Sequence, residues 1–86
     1  MGRTKKYFVT PKVIVIKDFS SLDGVLELLK KGDEVIVNVT LLDIKDSYRI
    51  IDFLSGYVMA FCGKRKKIED KIYSFKLSSW VYFWKL

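Results

Sequence analysis

The 86 residues predict an α/β protein of the α+β two-layer kind, with two helices packed on a four- to five-stranded mixed sheet. Three observations predict it. Two β-branched runs, at 13–16 and 34–39, are separated by a stretch of helical periodicity. A second and longer helical stretch follows and stops at a glycine. Beyond it, two lysine-bearing segments lie on either side of a tight turn. The expected order is β-α-β-α-β-β, with room for one further strand at the C-terminus.

Residues 1–12 read as a flexible basic segment, and 13–86 as one core domain, since a chain of this length has no room for a second. The run Val13-Ile14-Val15-Ile16, entered just after Pro11, is the first strand. Phe19-Ser20-Ser21-Leu22 opens the first helix. A serine supplies its N-cap oxygen, and Phe19 is the apolar residue just outside. Leu22, Val25, Leu26 and Leu29 keep helical spacing up to Lys30-Lys31 and the stop at Gly32. Glu34–Val39 is the second strand, parallel to the first through a right-handed crossover. The second helix runs from Asp43 or Ile44 to Cys62, about 30 Å of helix. Lys64–Glu69 and Lys71–Leu77 form a hairpin turning near Asp70. Trp80–Trp84 is a short last strand or a docked tail.

The chain carries more apolar surface than it can bury. Half of its residues are hydrophobic and 15% are aromatic. Both early strands are apolar throughout, as in strands covered on both faces, whereas two helices cover one face only. The second helix is apolar on two stripes, one of Ile44, Tyr48, Ile51, Leu54 and Val58, the other of Ile50, Phe53, Tyr57 and Phe61. A homodimer is therefore expected, through Ile50, Phe53, Gly56 and Tyr57 of the helix and Val15 and Val37 of the sheet. The alternative is that the aromatic C-terminal segment folds back over the open face.

Nothing in the sequence argues for catalysis. It has no histidine, which removes the commonest general base and metal ligand. The single cysteine, Cys62, lies at a helix C-terminus, where the dipole disfavours a thiolate, and reads as buried filler. No dinucleotide or phosphate-binding loop occurs, and no metal site or cofactor is expected. The longest uncharged run, Phe53–Gly63, is eleven residues, short of the roughly 20 that span a membrane. The net charge of +6 and the block Lys64-Arg65-Lys66-Lys67 admit an acidic partner, an anionic surface or nucleic acid. Interleaved Tyr73, Phe75, Tyr82 and Trp84 give nucleic acid some appeal as stacking groups, yet no nucleic-acid motif accompanies them.

Three segments resemble a known family. Lys31-Gly32-Asp33-Glu34-Val35-Ile36-Val37-Asn38-Val39 is similar to the family pattern K-x-G-x-x-V-I-V-N-L. Tyr48-Arg49-Ile50-Ile51-Asp52-Phe53-Leu54-Ser55-Gly56 is similar to A-x-R-I-V-D-F-L-S-G, and Lys67–Tyr73 to K-V-x-x-K-I-F. The family is SepF, and the resemblance runs from about Val13 to Leu77. It implies a dimerising, non-enzymatic adaptor that binds the C-terminal tail of the division protein FtsZ, in the cytoplasm at the division site on the inner face of the membrane. Lys67 and Tyr73 match the family's tail-binding groove, and Phe53 and Tyr57 are expected to help line it. Family members usually carry a membrane-lying N-terminal helix. Residues 1–12 show none, so membrane association is expected to be indirect or through an anchor outside this sequence. Bacterial relatives tend to have Gly-Gly after the second helix, where this chain has Cys62-Gly63.

Overall fold

A computed structural model of the chain describes residues 10–78. The elements are β1 (Lys12–Val15), a 3-10 turn (Phe19–Ser21), α1 (Leu22–Lys30), β2 (Val35–Asn38), α2 (Ile44–Ala60), β3 (Lys64–Glu69) and β4 (Ile72–Lys76). The sheet order is β1-β2-β4-β3. β1 and β2 are parallel, and β4 is antiparallel to both β2 and β3. The expected two-layer sandwich with a mixed sheet is what forms, with four strands among the described residues. The strand or tail expected at Trp80–Trp84 lies outside those residues.

Register assigns the two sheet faces. Ile14 pairs with Val37, Val35 with Phe75, and Val37 with Tyr73, so these side chains share one face. That face meets the helices. Val25 and Leu29 of α1 and Ile50, Leu54 and Val58 of α2 close over Val35, Val37, Val39 and Phe75 to form the core. The opposite face carries Val13, Val15, Ile36 and Ser74, and the helices do not reach it. Val13 is 63% exposed and Val15 42%. Among the described residues, then, this second sheet face has no covering layer, and the C-terminal segment that could fold over it lies outside them.

Helix ends follow local chemistry. Asp43 caps α2, its carboxylate accepting from the Asp46 backbone N–H at 2.8 Å. At the other helix the cap differs from expectation. Asp18, not a serine, accepts from the Ser20 N–H, while Ser21 makes no capping bond and instead accepts from the Lys17 N–H at 3.4 Å. The 3-10 turn moves the start of ordered helix back onto Asp18. The Ser20 hydroxyl also donates to this carboxylate, and these bonds hold the Asp18 pKa below its usual range.

Both helices end in the same motif with different residues. After α1, Gly32 takes φ 99° and donates to Leu29, while Asp33 donates to Leu28. After α2, Cys62 takes the left-handed position at φ 58° and donates to Met59, while Gly63 donates to Val58 at 2.6 Å. The expectation that Cys62 is buried filler is corrected. The helix stops at Ala60, and the left-handed turn leaves Cys62 exposed.

Candidate functional site

The residues implicated by sequence lie on two flanks of α2. On the flank facing the hairpin, the Ser55 hydroxyl donates to the Ile51 carbonyl at 2.7 Å and accepts from the Arg65 guanidinium at 3.1 Å. The same guanidinium lies over the Tyr73 ring, 5.7 Å from its centroid. Tyr73 in turn stacks on buried Phe75, with centroids 6.3 Å apart. Alternation explains the convergence. Arg65 is paired with Phe75 and Lys67 with Tyr73, so both cations rise on the helix side of the sheet.

Beside this cluster is a small hollow of about 100 Å³, bounded by Ile44, Tyr48, Ile51, Lys71 and half-buried Tyr73. The Lys71 ammonium donates to the Leu42 carbonyl at 3.4 Å across its end. The result is an aromatic and aliphatic depression whose wall carries Lys71 and Asp70, with Arg65 and Lys67 on the adjoining strand, which suits an extended peptide bearing apolar anchors and a carboxylate. Exposed Ile44 and Tyr48 belong to this depression rather than to the core stripe in which their spacing placed them. The core stripe of α2 turns instead on Ser47, Ile50, Ile51, Leu54 and Val58. Arg65, Ser55, Tyr48 and Ile44 are thus site neighbours that the sequence reading missed. For Arg65 the signal was parity, since it shares a strand face with Lys67, with one residue between them; for the three α2 residues only the packing of the helix on the hairpin supplies it.

Phe53 and Tyr57 do not join Lys67 and Tyr73 within the chain. Each is two residues from Ser55, about 200° around the helix, and so stands on the opposite flank. There they form an aromatic row. Phe53 stacks on Tyr57 with centroids 6.5 Å apart, and Phe61 meets Tyr57 edge-on at 5.2 Å. Phe53 is 48% exposed, and Gly56 next to it has open space where a Cβ would sit. Two other residues expected at a dimer interface are corrected. Ile50 and Val37 are fully buried in the chain's own core, so they have no surface left for a partner. Ile50 lies on the α2 face centred on Leu54, and Val37 on the sheet face beneath the helices.

The sequence model of the family described as Cell division protein SepF matches residues 12–76, which hold the four strands and two α-helices of the described residues. The chain belongs to the SepF family. Cell division protein SepF of Clostridium beijerinckii is 36% identical over 66 residues, covering 74% of this chain and 44% of that protein. The SepF of Carboxydothermus hydrogenoformans is 39% identical over 59 residues, 69% of this chain and 43% of its own length. The chain therefore spans less than half the length of these two SepF relatives. Among solved structures, a SepF-like protein from Pyrococcus furiosus superposes with a TM-score of 0.64 at 26% identity, covering 83% of this chain and 95% of that one. The family and these relatives are described as cell division proteins. No helix of the described residues is long and apolar enough to cross a membrane.

Proposed function

We propose that this chain is a non-enzymatic division adaptor that dimerises and binds the C-terminal tail of FtsZ on the cytoplasmic face of the membrane. The observation that carries the binding half is the cluster of Tyr73, Arg65 and Lys67 beside the apolar hollow between α2 and the hairpin. Tyr73 offers a half-buried aromatic wall, and Lys67 a cation without an intramolecular carboxylate partner among the described residues. An apolar tail residue would enter the hollow while a tail carboxylate meets Lys67.

Self-association would use the apolar surface the fold leaves open, namely Phe53, Gly56 and Tyr57 on α2 and Val15 on the uncovered sheet face. Attachment to the membrane would then be indirect or depend on sequence beyond these residues. Calorimetric titration with a cognate FtsZ tail peptide tests the binding half. Heat is expected with the wild type and a loss of about tenfold or more in affinity with Lys67→Glu or Tyr73→Ala. Absence of binding by the wild-type chain would overturn it.

A further inference from the structure

The outer edge of β3 is a second surface with unmet chemistry. Among the described residues β3 pairs with β4 on one side only, and all six of its residues are exposed. Four in succession, Lys64, Arg65, Lys66 and Lys67, are cations. Residues 1–9 and 79–86 contain no Asp or Glu, so every side-chain carboxylate of this sequence lies among the described residues. There the one ion pair is Arg49 with Asp46 at 3.8 Å, and none of the β3 cations meets a carboxylate. On the open-face side, Lys64, Lys66 and Lys76 border a groove of about 700 Å³. Of its lining residues Glu34 alone is acidic, and its carboxylate accepts from Ser74 while Lys76 donates to the Gly32 carbonyl. Among the described residues no side-chain carboxylate pairs with the cations of this edge, so an acidic partner would meet them without displacing an ion pair.

Geometry selects its form. Side chains alternate along β3, so Lys64 and Lys66 project on the open face and Arg65 and Lys67 on the helix face. A ligand approaching one face of the sheet meets half of them. An added strand alternates with the same period and reaches both rows at once. A second β3 would set cation against cation, which costs free energy across a sheet. We propose that the β3 edge accepts an extended acidic segment of a partner protein by strand addition, with backbone hydrogen bonds giving the docking and carboxylates on both faces giving the selection. This surface shares Lys67 with the proposed tail site but does not need the Tyr73 hollow.

The probe is a short capped peptide with a run of glutamates flanked by valine and threonine, titrated into the full 86-residue chain and followed by amide NMR. Expected are shifts confined to 64–69 and their strand neighbours, slowed exchange of the outward amides of β3, and weakening with added salt. N-methylation of the peptide backbone on the docking side should reduce affinity about tenfold or more, as strand addition requires its N–H groups. Lys64→Glu/Lys66→Glu should abolish binding, and Lys64→Gln/Lys66→Gln should weaken it with the fold unchanged. Tyr73→Ala should leave the probe bound while weakening an FtsZ tail, so the two readings fail separately. Equal binding of the N-methylated peptide, or shifts away from β3, would overturn the proposal. So would binding of phosphatidylglycerol vesicles, lost in Lys64→Glu/Lys66→Glu, with none of the peptide.

Discussion

Gly32 and Cys62 occupy equivalent positions, the left-handed residue that ends a helix, and only one of them is a residue suited to it. A side chain in this conformation costs on the order of 1 kcal/mol, so Cys62→Gly is expected to raise unfolding stability by about 0.5–1 kcal/mol in a denaturant titration. Gly63 is constrained by space instead. A Cβ there would lie 2.4 Å from the Lys76 carbonyl oxygen, and no flexible side chain can yield. Gly63→Ala should therefore cost about 3 kcal/mol by the same measurement. Asp18 supplies a pH signature. Its pKa is lowered chiefly by the Ser20 hydroxyl, so its stabilising effect is complete above the unfolded value near 3.8 and is lost as pH falls through the folded value. Asp18→Asn should lack this component, and its stability difference from the wild type should close in acid titration as pH falls below the unfolded value and through the lowered folded one.

At the scale of elements, α2 is the piece on which the molecule turns. One face is sealed into the core, the hairpin-facing flank shapes the Tyr73 depression, and the far flank holds the Phe53–Tyr57–Phe61 row. Substitutions on the three faces should separate. Leu54→Ala is expected to cost about 2–5 kcal/mol of stability because the site is fully buried. Phe53→Glu should leave stability nearly unchanged and shift mass from dimer to monomer in light scattering. If Val15→Glu does so instead, the sheet face carries the self-association. β3 shows the converse case of an element whose identity was plain and whose surroundings were not. Its lysines mark an edge strand in the sequence, but their lack of any carboxylate partner becomes visible only with the ion pairs of the fold.

For the whole molecule, the two apolar regions left open among the described residues lie on opposite sides. The aromatic row belongs to the helix layer, while Val13 and Val15 belong to the far face of the sheet. One chain thus presents two separable surfaces, and a protein using both would assemble beyond a pair. Light scattering across a concentration series tests this, with Phe53→Glu and Val15→Glu each removing one surface. A single dimer plateau lost in one variant alone assigns one interface; growth past the dimer, lost in either variant, assigns two.

The sequence by itself determined the element order, the parallel first pair of strands, the hairpin and the family. Those depend on periodicity, caps and turn residues, which act over a few residues along the chain. The excess of apolar surface was equally legible, since it is a matter of composition. Tertiary structure decided which apolar residues that excess comprises. Ile50 and Phe53 are both apolar and three residues apart on one helix, yet the first is sealed and the second is half exposed. Rotation of α2 against β4 makes that distinction, and packing across the sheet sets the rotation. The same packing brought Arg65 and Ser55, ten residues apart, to Tyr73 and left Phe53 and Tyr57 on the far flank.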